Sequence, residues 1–418
     1  MDLMSAVASQ LAGAIFDLKN IIFLLLVFYF FKTVYKHYLE LGDNIGHYRL
    51  WRKRKIIEEI VLTYLVCGFI LSAVSLTLGI TISQEAFIYY LFIALALTVI
   101  NIRYISFVYS GGILILAGLI PGGPTVDSTS VLILMAFVQL IEGILVYIHK
   151  GRESIPVYIK DNGGITGAFV IHKYWPLPIA FFTFASDNAG FMLNPFNAQW
   201  WKVMKPEIIF PLAAFFALDS LIGVGGYMDV AVSESPKRRS IKISGSFIIY
   251  SMFIGVFAVI SRYFSIFGII GAVLCPAGRE LMLYIHKKRQ QNKEPIYKPV
   301  GRGIRILDVF PGGSGCKLGL ERGDIVLRVN NRDVQTVEGL TQALTDFPRY
   351  VWIDIKKPDG RSEVLSGSFF PQGIDKLGII TVPREHEVTY NIDTFENLIL
   401  IKNLVNRFRG FGKSSDNK

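Results

Sequence analysis

KPVGRGIRILDVFPGGSGCKLGLERGDIVLRVNN, Lys298 to Asn331, divides the chain into two unlike parts. Within it IRILDV and DIVLRV alternate apolar with polar residues, the pattern of half-buried strands. Pro311-Gly312-Gly313 and Glu321-Arg322-Gly323-Asp324 read as turns, with a short helix around Gly315 to Leu318 between them. Beyond the quoted stretch, Thr336 reads as the N-cap of a helix from Val337 to Asp346, Val351 to Lys356 as a strand, and Pro358-Asp359-Gly360 as a hairpin turn. A small α/β domain is therefore expected at 297–383, entered through the polar linker 287–296.

Upstream the composition is of another kind. The whole chain has 418 residues, 52% hydrophobic and only 18% charged, against about 25% charged in ordinary soluble chains. Ile60 to Ile80 carries no charge over 21 positions, enough to cross roughly 30 Å of hydrocarbon as a helix. Similar runs are Ile15 to Tyr35, Ala86 to Ile100, Tyr104 to Ile120, Ser130 to Ile148, Ile208 to Tyr227, Gly245 to Ile260 and Tyr263 to Ile285. Trp175 to Ala185 (WPLPIAFFTFA) is apolar but short and holds two prolines, so it reads as a thin span, a re-entrant piece or an interfacial segment.

Residues 1–286 are thus expected to form an α-helical polytopic membrane domain of about 7–9 transmembrane helices. Lys and Arg cluster in Lys32 to Lys55, His149 to Lys173, Lys237 to Lys242 and His286 to Lys293, which places those loops and the C-terminal domain on the cytoplasmic side. The net charge of +10 follows from this bias and from contact with anionic membrane lipids, and no basic–aromatic interleaving points to nucleic acid. Between the spans, IPVYIKDNGGITGAFVIHKYW at 155–175 reads as a β-hairpin turning at Asp161-Asn162-Gly163-Gly164, with Val157 and Ile159 set against Ala168 and Val170.

The C-terminal elements, the "GL..GD.I..VN" pattern in GLERGDIVLRVNN and the helix TVEGLTQAL together resemble a PDZ domain of the bacterial arrangement. That resemblance implies a peptide-binding groove. Gly301, Arg302, Gly303 and Ile304 take the place of the carboxylate-binding loop, whose inward N–H groups form a nest. An extended ligand then adds along Gly303 to Val309, including Ile306, and Leu340, Ala343 and Leu344 shape the pocket. The whole chain, with its many spans, its PVYIK...G.F.I.KYWP.P segment and its terminal PDZ-like part, resembles the MinJ-type topological determinants of bacterial cell division. The resemblance implies a multi-pass scaffold of the bacterial cell membrane, enriched at septa and poles, that bridges DivIVA to MinC and MinD. A homo-oligomer is compatible with that role.

Catalytic signatures are weak. HExxH is absent, the nearest string being His386-Glu387-Val388-Thr389-Tyr390, and no serine sits in a nucleophile context. Neither a cofactor nor a metal site is expected: the six histidines mostly lie in basic loops, and Cys67, Cys275 and Cys316 have no ligand spacing. Among ionisable residues inside the apolar runs, Glu142 and Asp219 are expected to pair between helices, with Arg103 in a turn. A membrane regulator of proteolysis and a transporter with an appended PDZ domain stay open as other classes. The tail 384–418 shows apolar residues at helical spacing (Phe395, Leu398, Ile401, Val405, Phe408) with bases beside them, as in a basic amphipathic helix.

Overall fold

The computed structural model describes residues 53–161, 164–185, 215–346, 350–368 and 377–384, with single positions between 13 and 29. The tail helix, the turn residues Asn162 and Gly163, and most of the Ile15–Tyr35 run lie outside the described residues.

The first half begins with helices α1 (Lys53–Thr77) and α2 (Gln84–Ile100), a 3-10 turn (Ile102–Ile105), α3 (Phe107–Ala117) and α4 (Ser128–His149). Strands β1 (Ile155–Asp161), β2 (Gly164–Ala185) and β3 (Phe215–Ala231) follow, then α5 (Pro236–Ser261) and α6 (Ser265–Gln291). Local chemistry sets the ends. Asp127 caps α4 through the Thr129 N–H at 3.1 Å, and Ser235 caps α5, whose first residue, Pro236, has no N–H to satisfy.

An all-helical membrane domain of 7–9 spans is not what this chain forms. Among the described residues three helices are long and apolar enough to cross a membrane: α4, α5 and α6. The run Tyr104 to Ile120 gives α3, whose 11 residues reach only about 16 Å. Trp175 to Ala185 and the described part of Ile208 to Tyr227 are not helices at all but the antiparallel partners β2 and β3, paired from Phe169↔Ala231 to Ala185↔Phe215.

The two prolines that made Trp175–Ala185 hard to read have a simple place in this sheet. Beyond Val170, β2 has β3 on one side and no strand on the other. The N–H groups on that second side belong to even-numbered residues. Ala180 N–H donates to Ser72 Oγ of α1 at 2.9 Å, and Phe182 N–H donates to Ile80 O at 3.1 Å. Pro176 and Pro178, of the same parity, have no N–H to satisfy, which is where a strand tolerates proline. Gly68 of α1 lets the ring in, since a Cβ there would lie 2.3 Å from Pro178 Cγ. Ser72→Ala should therefore strand a buried donor and lower stability by about 1–3 kcal/mol, read by denaturant unfolding of the purified chain in detergent; an unchanged midpoint would contradict the assignment.

Helices wrap the long hairpin. Leu177, Ile179, Phe181, Leu221 and Val224 share one core with Leu71, Phe87, Phe107, Val131 and Phe247. Non-helical backbone can lie at membrane depth only when enclosed in protein in this way. The outer faces of α5 and α6 instead expose Met252, Phe253, Val256, Val273 and Leu281.

The C-terminal domain is built from β4 (Ile304–Val309), α7 (Ser314–Leu318), β5 (Ile325–Val329), β6 (Arg332–Asp333), α8 (Val337–Thr345), β7 (Tyr350–Lys356), β8 (Ser362–Ser368) and β9 (Ile379–Val382). The sheet runs β8-β7-β5-β4-β9, with β6 on β5. Thr336 caps α8, accepting from Gly339 N–H at 3.1 Å. The linker expected at 287–296 is helical through Gln291 as the end of α6.

This domain is docked rather than tethered. Tyr297 O accepts from Gly167 N–H (2.9 Å) and from Thr166 Oγ1 (3.1 Å). The Tyr297 ring meets Phe169 edge-on, and the Arg322 guanidinium lies over the Phe169 ring, 4.7 Å from its centroid. Leu307, Ile380 and Val382 join the core of the first half. The face of the hairpin that could have met a partner is thus occupied by the chain's own last domain.

Candidate functional site

Two places concentrate chemistry: the far edge of the C-terminal sheet and an ion pair buried among the helices.

Strand β4 is interior, which corrects its expected role as a docking edge. On one side Ile306 N–H donates to Asp324 O (2.8 Å) and Ile306 O accepts from Gly323 N–H (2.9 Å). On the other, Arg305, Ile306, Asp308 and Val309 pair with Val382, Thr381, Ile380 and Ile379 of β9. Ile304 and Ile306, with Leu340, Ala343 and Leu344 of α8, are 0–4% exposed and pack as core. A ligand strand added at Gly303–Val309 would have to expel β9.

The Gly301–Ile304 loop is likewise engaged. Arg384, just past β9, donates to Val300 O (3.2 Å) and Gly301 O (2.8 Å), and Arg302 pairs with Asp333 at 3.4 Å. Gly303 has φ +86°, and a Cβ there would lie 2.5 Å from Val326 O. Its glycine is required by the backbone, so a bulky substitution at 303 would disturb the fold before it tested binding.

Strand β9 is the outermost strand on this side of the sheet, and its four residues are buried. Because Ile306 turns both its backbone groups toward β5, its partner Thr381 turns its own away from β4. Thr381 O accordingly accepts from Tyr158 Oη of β1 at 2.6 Å. Its N–H points to the outer edge, where no strand among the described residues pairs. Gly378, with φ +69°, brings the chain into this strand, and its carbonyl accepts from Phe310 N–H at 2.7 Å. Leu377 and Ile379 share the core of α8. The sequence signal for this was KLGIITV, a glycine leading into an apolar run, which lay inside the expected domain without being assigned a role.

The turn Glu321 to Asp324 is held by charge. Asp324 accepts from Glu321 N–H at 2.9 Å and from Lys357 Nζ at 3.2 Å. Burial still raises its carboxyl above the ordinary range, with those two partners opposing the rise.

The second place joins four elements. Glu142 of α4 is fully buried and Arg279 of α6 is 2% exposed. The Glu142 carboxylate accepts from Arg279 Nη1 (2.5 Å), Ser106 Oγ (2.6 Å) and Gly226 N–H of β3 (3.1 Å). Arg279 also donates to Gln139 Oε1 (2.8 Å) and, through Nη2, to Gly226 O (2.8 Å). Its guanidinium lies over the Phe247 ring at 4.8 Å. The N–H and the C=O of one glycine, in successive peptide units, are thereby held by opposite charges. Gly226 has φ +150°, and a Cβ would lie 2.3 Å from Lys173 O, so no other residue fits.

Arg279 and Glu280 were missed in reading the sequence, although both stand inside the run Tyr263 to Ile285. Glu280 pairs with Arg103 and accepts from Tyr109 Oη at 2.6 Å. Asp219 lies apart from this network, on β3 opposite Phe181, and accepts from Ser220 N–H at 2.7 Å. The structure therefore does not bring Glu142 and Asp219 together.

No protein-family model matches the chain. Over 396 residues it is 24% identical to the cell division topological determinant MinJ of Bacillus subtilis (strain 168), a match covering 86% of this chain and 94% of that protein. Together with the three long apolar helices, this similarity is compatible with a membrane protein.

Proposed function

We propose that the chain is a membrane-bound scaffold for placing the division site, and that its C-terminal domain works as a PDZ-type module. The single observation that carries the binding half of this reading is the orientation of Thr381, whose backbone faces away from β4. An extended segment of a partner adds there as a further strand.

The division half rests on similarity to a topological determinant over most of both chains. By that likeness the partners are division proteins, of the DivIVA and MinC/MinD kind, and the domain faces the cytoplasm. The fixed docking of the domain on the β1–β2 hairpin suits a scaffold, because a partner held at β9 is held at a set distance from the helices.

A fluorescent fusion expressed at its native level should collect at septa and poles and lose that pattern when the DivIVA-type protein is removed. Even membrane fluorescence through the whole cell cycle would overturn the division reading.

A further inference from the structure

Where α4 ends, a cluster has assembled that no spacing in the sequence announces. Glu59 of α1, His149 at the end of α4 and Glu153 in the following turn each offer one ligand atom, all within 4.8 Å of one another. Glu59 comes from α1 and the other two from the end of α4 and its following turn, and they converge beside β2. Lys173 of β2 sits among them, its Nζ 2.8 Å from Glu59 Oε2 and 2.9 Å from Glu153 Oε2.

Two carboxylates share one ammonium. The imidazole makes the cluster more than an ion triad. His149 is 6% exposed, and its Nε2 has no hydrogen-bond partner. A buried ring nitrogen without a partner costs about 1–3 kcal/mol, and a lysine already satisfied by two carboxylates does nothing to remove that cost. A metal ion removes it. One imidazole nitrogen and two carboxylate oxygens, with water in the fourth position, make a donor set for a borderline divalent ion; Mg2+ and Ca2+ prefer oxygen alone. The site is reachable from outside, the Glu59 and Glu153 side chains being 36% and 24% exposed.

We propose that Glu59, His149 and Glu153 bind a divalent transition-metal ion, Zn2+ by donor chemistry, in exchange for the ammonium of Lys173. Bound there, the ion ties the start of α1 to the end of α4. The ligand set needs ligand-to-ligand distances of roughly 3.5 Å around an ion at about 2.0–2.2 Å, so the three side chains close in by about an ångström as the lysine leaves.

The test uses the full chain, purified in detergent without a histidine tag and titrated with Zn2+ against a chromophoric chelator. One equivalent should bind. Glu59→Gln, at a partly exposed position that leaves the fold intact, and His149→Ala should each weaken binding about 100-fold. Lys173→Met, which removes the competing cation, should tighten it roughly tenfold, and His286→Gln should leave it unchanged. Co2+ in place of Zn2+ should give visible absorption that Glu59→Gln abolishes. Absence of Zn2+ binding to the wild-type chain overturns the proposal, as does binding that both Glu59→Gln and His149→Ala leave intact. Binding seen only in Lys173→Met also overturns it, since the lysine would then be the permanent cation of the site.

Discussion

Arg279→Met should lower the stability of the full chain by about 3–5 kcal/mol, the cost of leaving one partner of a buried pair uncompensated. Glu142 is fully buried, so its charge cannot turn to water once the guanidinium is gone. The loss extends beyond the pair, because Arg279 and Glu142 together satisfy both backbone groups of Gly226. A double change, Glu142→Leu with Arg279→Met, should recover the part due to charge. It should not recover the part due to the Gly226 peptide, about 1–3 kcal/mol for a buried donor left unpaired. Denaturant unfolding in detergent, followed by tryptophan fluorescence, separates the two. If Arg279→Met unfolds at the wild-type midpoint, the pair is not what holds β3 to the helices.

The second large effect is expected at the sheet edge. Thr381→Pro removes an N–H that the β4–β9 pairing does not use, and Pro383 already follows two positions on. The domain should fold, yet a partner strand would lose a ladder bond and meet the proline ring. Co-purification of DivIVA- and MinD-type proteins with the full chain should fall about tenfold. Tyr158→Phe acts the other way. It releases Thr381 O, which Tyr158 Oη holds at 2.6 Å, and gives a docking strand one more acceptor, so capture should rise a few-fold, within the roughly 0.5–1.5 kcal/mol of one hydrogen bond. Opposite signs from two changes at one residue's backbone are hard to obtain from general loss of stability.

How far the sequence could be read depended on whether local chemistry settled each element. Thr336 and the strands IRILDV and DIVLRV were legible because caps and alternation act over a few residues. The 155–175 hairpin was legible for the same reason, its register pairing Val157 with Ala168 and Asp161 with Gly164. Its continuation was not. WPLPIAFFTFA and the LIGVGGY part of β3 are apolar on both faces because helices enclose them, and a strand buried on both faces has the composition of a span. Only Pro176 and Pro178 spoke against a helix, and what makes them tolerable in a strand is Gly68 and Ser72 of a distant helix.

The site divides in the same way. Leu340, Ala343 and Leu344 were read as shaping a ligand pocket and here pack as core, and which strand forms the edge depends on a tertiary choice, the return of KLGIITV to β4. Glu142 stood out as a lone acid in an apolar run. Its partner Arg279 lies 137 residues on, near the polar end of α6, where an arginine looks like an ordinary flanking charge.

The outward backbone of β9 is open to direct measurement by amide hydrogen exchange, with and without the co-purifying division protein bound to the full chain. Thr381 N–H should exchange faster than Ile380 N–H in the free protein and become protected on binding, while the amides of β4 stay unchanged. Protection confined to other elements, or a Thr381 amide already fully protected when the chain is alone, would contradict a docking edge at β9.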